Sequence, residues 1–550
     1  MAQALECYGV RDVVVSPGSR NTPLIMAVGR CPKFNCIPVV DERSAAFIGL
    51  GIAAITARPV ALVCTSGSAL LNYAPAISEA YYRKLPLIVV SADRPAFWIG
   101  HDDSQTIKQP HALANFILGE CDIPDREPDG TVASWQWQRT IDRDLNQLLS
   151  MATNGRRGPV HINVQIDSPI SDETEADCES VEFHKIDLVQ PEQKISVAAA
   201  RELANEICNR RVLVFGGFHA PSAPLIKALN RLATLPGVVV AADRLANVAG
   251  AGIVPVSDAL MKAVSERPEL LITFGGAPLS GAFKQYVRES SLEHWHVGAN
   301  GAIIDMSMQL SKQIEIAAEA FFPRFAGAAC HAGCRGEATP FKQNWTDAFR
   351  RVREVVGQIA EMPWCDISAL NYLMMRLPES ANIQLGNGMS VRYASLCGLS
   401  RCHRVDSNRG VSGIDGCLST AVGAAMAYRA GVTVALVGDM SALYDVGALA
   451  SVAMCENLKI IVFSNQGGNI FRIVETTRAV DEAEQFMIGN IPPYMADTAR
   501  GFGISYAAAH NFNELDDALA LIARPGNCII ELHTDGAMSA AIYRRLMSEI

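Results

Sequence analysis

With 550 residues the chain is too long for one ordinary core, and 49% apolar against 19% charged residues excludes a disordered protein, so two to four compact domains are expected. A net charge of −10 argues against nucleic acid as a partner, and no apolar run is long enough to span a bilayer, so no membrane is expected either. The start, Met1 to Glu6, has no basic patch followed by an apolar core, so a secretory signal is not expected and a cytoplasmic location is.

Three α/β blocks follow one another. The first opens with a short helix and the strand Asp12–Ser16, then the turn Pro17–Arg20. It continues through strands around 37–40, 60–65 and 87–91 and ends near 160–164. Apolar strands alternating with helix-length segments indicate parallel sheets covered on both faces. An acidic stretch from Asp167 to Glu182 reads as a linker.

The second block runs from Lys185 to Ala326, with predicted strands at 211–215, 238–241 and 270–274. Glycine pairs Gly216-Gly217 and Gly275-Gly276 follow two of them but form no Gly-x-Gly-x-x-Gly fingerprint, so a dinucleotide is not expected. A P-loop and a Gly-x-Ser-x-Gly elbow are also absent from the sequence. A Gly/Ala/Cys-rich passage, 327–339, separates the third block. Its Cys330, His331 and Cys334 lack a second ligand pair, so a surface loop is the better reading than zinc. The fifteen cysteines are scattered and odd in number, as expected of reduced, mostly buried thiols. The predicted domains are 1–180, 185–335 and 341–550.

The third block carries the chemistry. Two apolar runs, 432–438 and 458–464, end at Asp439 and Asn465, a spacing that suits one strand–helix–strand unit of roughly 30 residues. Adjacent parallel strands deliver ligands at their carboxyl ends. A carboxylate from Asp439, an amide oxygen from Asn465 and a backbone carbonyl near Gly467 would form a hard-oxygen site for Mg²⁺, with phosphate oxygens completing the shell. Gly438 and Gly467 let the backbone approach a bulky anion.

This run from Gly438-Asp439-x-Ser441 to Asn465-x-Gly467-Gly468 resembles the diphosphate-binding motif of thiamine diphosphate (ThDP) enzymes. The three blocks in this order resemble the pyrimidine, central and diphosphate domains of the pyruvate-oxidase-like members. The resemblance implies three doubly wound parallel-sheet domains. It also implies a carboxyl group that protonates the pyrimidine ring, for which Glu42 in the first block is the candidate. Ile414, in a glycine-rich turn before the helical run 418–428, is the candidate for the apolar side chain beneath the bent coenzyme.

Ser16–Arg20, Asp41–Arg43, Cys64–Ala69, Ser91–Pro95, Asn408–Gly416 and Gly468–Phe471 together resemble the SEPHCHC synthases (2-succinyl-5-enolpyruvyl-6-hydroxy-3-cyclohexene-1-carboxylate synthases), transferases of menaquinone biosynthesis. That family implies decarboxylation of 2-oxoglutarate and addition of the succinyl carbanion to isochorismate, with ThDP and Mg²⁺ or Mn²⁺. By the resemblance, Ser19, Arg20 and Arg94 contact isochorismate, while Gln105, Arg392 and Arg409 hold the oxoglutarate-derived part. Gly388, Ile414, Gly438, Ser441, Ile470 and Phe471 join Glu42, Asp439, Asn465 and Gly467 around the coenzyme. Arginine suits substrates with two carboxylates, because its planar fork grips them bidentately. The four arginines are expected in loops that follow strands.

Two positions depart from the family pattern. Ala282 and Phe283 stand where a basic pair would grip a substrate carboxylate, with Lys284 next in line, and Gly388 stands where Ser is frequent. The family also implies a homodimer or tetramer in which Glu42 and Asp439 meet across the chain interface. Two rivals remain at this point: another ThDP carboligase or decarboxylase such as acetohydroxyacid synthase, and a cofactor-binding protein without turnover.

Overall fold

The computed structural model describes residues 1–125, 134–167, 182–189, 192–299, 301–332, 336–397 and 404–550. Residues 168–181 of the expected acidic linker, and Cys334, lie outside them.

Three six-stranded parallel sheets flanked by helices make up the fold. The first contains β1 (Asp12–Val15), β2 (Asn35–Pro38), β3 (Val60–Cys64), β4 (Leu87–Asp93), β5 (Glu120–Ile123) and β6 (Val160–Gln165), in the order β2-β1-β3-β4-β6-β5. The second contains β7 (Val212–Gly216), β8 (Val238–Ala242), β9 (Ile253–Pro255), β10 (Leu270–Phe274), β11 (Glu293–Val297) and β12 (Leu310–Ile314), ordered β12-β11-β10-β7-β8-β9. The third contains β13 (Asn382–Leu385), β14 (Arg404–Ser407), β15 (Thr433–Gly438), β16 (Leu458–Ser464), β17 (Ser505–Ala509) and β18 (Cys528–His533), ordered β14-β13-β15-β16-β18-β17. Strands such as β3, β4, β7 and β16 are buried along their whole length, which is why their sequences are mostly apolar runs rather than alternating ones.

By internal contacts the chain forms two compact units. One gathers Met1–Gln190, Gly410–Arg429 and Tyr444–Leu458, and the other Pro191–Arg409, Ala430–Leu443 and Lys459–Ile550. Within the first unit, the helix Glu42–Thr56 packs against the helix Cys417–Ala427 through small residues. A Cβ on Gly51 would stand 2.1 Å from the Thr420 carbonyl oxygen, and one on Gly423 would stand 2.0 Å from that of Ile48. Only hydrogen at those two positions lets the backbones come this close. The helix of Glu42 starts where Asp41 caps it, Asp41 Oδ1 accepting from the Arg43 and Ser44 amides, and ends at Ala57 in the left-handed conformation.

Three expectations need correction. Residues 327–331 are not a separating loop but the last turns of the helix Ala318–His331, so Cys330 and His331 are helical. Arg392 lies on the helix Met389–Leu396 rather than in a loop. Cys208 is disulfide-bonded, whereas Cys64, Cys365, Cys397, Cys417, Cys455 and Cys528 are free and buried as expected. The crossover from Asp439 to β16 is helical, a short α-helix, Asp439–Tyr444, followed by the 3-10 segment Val446–Met454, in keeping with a strand–helix–strand unit. No helix among the described residues is long and apolar enough to cross a membrane.

Candidate active site

Asp439 and Asn465 close neighbouring strands of the third sheet, β15 and β16. The Asp439 carboxylate is buried and is met by the main chain. Its Oδ1 accepts from the Met440 amide at 2.7 Å, and its Oδ2 from the amides of Asn465 at 3.2 Å and Gly467 at 2.9 Å. Burial pushes its pKa up to about 6, and those amide hydrogen bonds hold it from rising further. Tyr494 clamps the start of the loop, its hydroxyl donating to the Asp439 carbonyl at 2.8 Å. Gly467 has φ +133, and a Cβ there would strike the Ile488 carbonyl at 2.0 Å, so this turn requires glycine. A Cβ on Gly438 or on Gly388 would meet nothing within 4 Å, which leaves open space beside both. Ser441 is buried, and Ile470 and Phe471 are half-buried in the 3-10 turn Asn469–Arg472.

Sequence reasoning missed what stands behind Asn465. The Asn465 Nδ2 donates to Asp366 Oδ2 at 2.8 Å, and the Asn469 Nδ2 donates to the same oxygen at 3.0 Å. Asp366 is wholly buried at the start of the helix Asp366–Met374, and burial pushes its pKa up. The Oδ1 atoms of Asn465 and Asn469 are both buried without a hydrogen-bond partner among the described residues. An unmet buried acceptor costs about 1–3 kcal/mol, so these atoms fit a ligand that supplies positive charge.

No group of three or more His, Cys, Asp or Glu side chains that could hold a metal occurs among the described residues. The set at Asp439 includes one such side chain, and its other donors are amide and main-chain oxygens. Such an all-oxygen set fits Mg²⁺ or Mn²⁺ and does not suit zinc.

The second unit also carries Arg392 and Arg409. Arg409 Nη1 donates to Asn387 Oδ1 at 2.8 Å, and Arg392 Nη1 to the Gly388 carbonyl at 2.6 Å. Lys284 has its pKa lowered by partial burial and by the charges of Arg409, Arg288 and Arg392, while Asp243 opposes the shift. Burial pushes Asp243 itself up to about 7, with the Leu279 amide, Arg409 and Lys284 pulling it back. Phe283 is fully buried and stacks on Phe215 with ring centroids 4.2 Å apart, so that position is a core position. The cation beside the two arginines is therefore Lys284.

In the first unit, Glu42 is the half-buried first residue of its helix, and Asn72 Nδ2 approaches its Oε2 at 3.4 Å. The fully buried Cys64 thiol is pushed up by burial first and by the Glu42 carboxylate second. Ile414 is half-buried ahead of the helix Cys417–Ala427. Ser19 is exposed, whereas Arg20 is buried with its Nη1 donating to the carbonyls of Ile166 and Asp167. Arg94 follows β4 and pairs with Asp103 at 3.1 Å. Gln105, at φ +58, donates to the Ser66 carbonyl at 3.1 Å. These residues share one unit, but Arg20 and Arg94 each already have protein partners.

Comparison with known proteins places the chain in a class. Residues 1–112 match the family model described as thiamine pyrophosphate enzyme, N-terminal TPP binding domain, and residues 387–532 match its C-terminal TPP binding domain. The two matches cover Glu42 and the Asp439–Gly467 loops, and the chain is an enzyme of the ThDP class.

Curated relatives narrow this further. A 2-succinyl-5-enolpyruvyl-6-hydroxy-3-cyclohexene-1-carboxylate synthase of Porphyromonas gingivalis is 32% identical over 99% of this chain and 95% of its own length. Enzymes of the same name from Desulfotalea psychrophila (36% identical over 91% of this chain and 90% of its own) and Cytophaga hutchinsonii (34% over 99% and 97%) are also similar. The chain belongs to the SEPHCHC synthase family of menaquinone biosynthesis.

Proposed function

We propose that the chain, with ThDP and Mg²⁺, decarboxylates 2-oxoglutarate and adds its succinyl part to isochorismate, giving SEPHCHC and CO₂. When bound, ThDP supplies a sink for the electrons that departing CO₂ leaves behind. Asp439, Asn465 Oδ1 and the Gly467 carbonyl hold the cation, with Mn²⁺ a substitute. Gly388, Gly438, Ser441, Ile470, Phe471 and Ile414 would shape the coenzyme site, and Glu42 would hold a proton on its carboxyl group towards the pyrimidine ring. Arg392 and Arg409, with Gln105, hold the oxoglutarate carboxylates. Ser19, Arg20 and Arg94 meet isochorismate through atoms their protein partners leave available.

The observation that carries the choice of substrate is the cationic group of Lys284, Arg392 and Arg409, in which burial and the two arginine charges lower the Lys284 pKa while Asp243 opposes them. Lys284, Arg392 and Arg409 are half-buried, and positive charge in such a setting favours a dianionic oxo acid over pyruvate. Lys284 supplies the cation that Ala282 and Phe283 do not.

The three sheets correspond to pyrimidine, central and diphosphate domains. The working enzyme is a cytoplasmic homodimer or tetramer, with Glu42 facing the coenzyme of a second copy. Large apolar side chains stand exposed around that acid. Val40 precedes it by two residues, Leu71 adjoins Asn72, and Tyr444 gives its carbonyl to Arg43. Such a patch suits burial against another copy.

CO₂ release tests the substrate. With ThDP and Mg²⁺ present, 2-oxoglutarate is decarboxylated and pyruvate is not. Preferential release from pyruvate would favour an acetohydroxyacid synthase activity instead.

A further inference from the structure

We propose that Asp366 is the positioning residue of the cation site, and that Asn469 supplies that cation with a second amide oxygen, directly or through water. The proposal rests on the ThDP reading above.

Its basis is the chemistry of the two ends of an amide. An ionised carboxylate accepts hydrogen bonds and donates none. Asp366 Oδ2 takes the Nδ2 of Asn465 at 2.8 Å and the Nδ2 of Asn469 at 3.0 Å. Each amide must therefore turn its Oδ1 away from Asp366, and both Oδ1 atoms are buried with no donor among the described residues. A single oxygen thus fixes two acceptors. Asn469 is tied to the same loop, since its amide donates to the Gly467 carbonyl at 2.9 Å.

Asp366 is itself held from several sides. The Thr534 hydroxyl donates to its Oδ1, the Tyr393 hydroxyl reaches its Oδ2 at 3.3 Å, and its own amide donates to Ser539 Oγ at 3.1 Å. Without a carboxylate at this point, either asparagine could present its NH₂ to the cation, which repels it. Outer partners that orient metal ligands are typically worth 10–100-fold in metal affinity.

The test is calorimetric titration of the full chain with Mg²⁺ at saturating ThDP, with a thermal melt of each apo protein. D366N, whose amide no longer dictates either flip, is expected to raise the Mg²⁺ concentration for half-saturation by roughly tenfold or more. D366E restores an obligate acceptor and recovers part of that loss. N469A shifts the half-saturation in the same direction with Asp366 intact. Should D366N fail to fold, T534V loosens Asp366 from its other side and shifts half-saturation by a smaller factor. If D366N or T534V melts lower yet takes up Mg²⁺ as the parent does, Asp366 is merely structural and the proposal is overturned. Unchanged uptake in N469A removes the second oxygen. No Mg²⁺-dependent ThDP binding by the parent chain overturns the coenzyme reading itself, and this proposal with it.

Discussion

The first and third sheets share one strand order: β14-β13-β15-β16-β18-β17 repeats β2-β1-β3-β4-β6-β5 position for position. Their loops do different work. In the third sheet the loops after its third and fourth strands fold onto each other, and Asp439 is buried under amides from both. In the first sheet the segment after the second strand leads to Glu42, which is half-buried and has Asn72 at 3.4 Å, beside exposed Val40. One scaffold thus carries a buried carboxylate enclosed by main-chain amides, and also a half-buried acid beside exposed apolar side chains. In such sheets the strand order fixes where ligands gather, and the loops fix what they meet there.

The sharpest way to break this comparison is to remove the acid alone. Glu42→Gln should lower kcat on the order of a thousandfold, within the range for a lost general acid–base group, while calorimetric binding of ThDP and Mg²⁺ stays close to that of the parent. Normal turnover would leave Glu42 without a role in proton transfer. Next come the cations of the second unit. Arg392→Ala or Arg409→Ala should raise the KM for 2-oxoglutarate tenfold or more, the loss of a charge-assisted hydrogen bond worth about 1.5–3 kcal/mol. Steady-state kinetics with an unchanged KM for both variants would remove them from the substrate pocket.

The packing beneath Glu42 can be tested through Gly423. A Cβ there would stand 2.0 Å from the Ile48 carbonyl oxygen, so Gly423→Ala should cost up to about 3 kcal/mol by denaturant unfolding. A variant as stable as the parent would mean that the two helices part without cost.

The smallest effect concerns acid. Burial lowers the His161 imidazole to about 4, under an ordinary value of 6.5. Between those values the unfolded chain binds a proton that the folded chain does not, so this group's contribution to stability is present above 6.5 and is lost as pH falls towards 4. The buried Asp445, pushed up to about 7, has the opposite sign: its contribution is present below 3.8 and is lost as pH rises through 7. The cleanest reading is therefore a difference between proteins. From pH 7 to pH 5, His161→Gln should lose roughly 2 kcal/mol less stability than the parent. An identical pH dependence would show that His161 is not a buried neutral base.

Long apolar strands and the polar residues that end them were legible in the sequence, as at Asp439 and Asn465. The sheet margins were not. β5, β9, β11 and β12 are short or studded with polar residues, as in Glu293–Val297 and Leu310–Ile314, because edge positions and polar core networks relax the apolar pattern. In β11, His294 and His296 are buried by bonding Thr273 at 2.8 and 2.9 Å, which no periodicity reveals. Asp366 was invisible for a similar reason. It lies 99 residues from Asn465 along the chain, in no motif, and only folding brings it under the two amides. Arg392 stands in a family pattern, yet it lies on a helix rather than in a loop, because only three residues separate β13 from the helix that begins at Met389.

The central claim is tested most directly by incubating the chain with 2-oxoglutarate, isochorismate, ThDP and Mg²⁺ and weighing the product by mass spectrometry. The expected result is one product with the mass of SEPHCHC, formed with equimolar CO₂ and lost when any one component is withheld. Recovery of both substrates unchanged from the complete mixture, or formation of the product without ThDP, would contradict it.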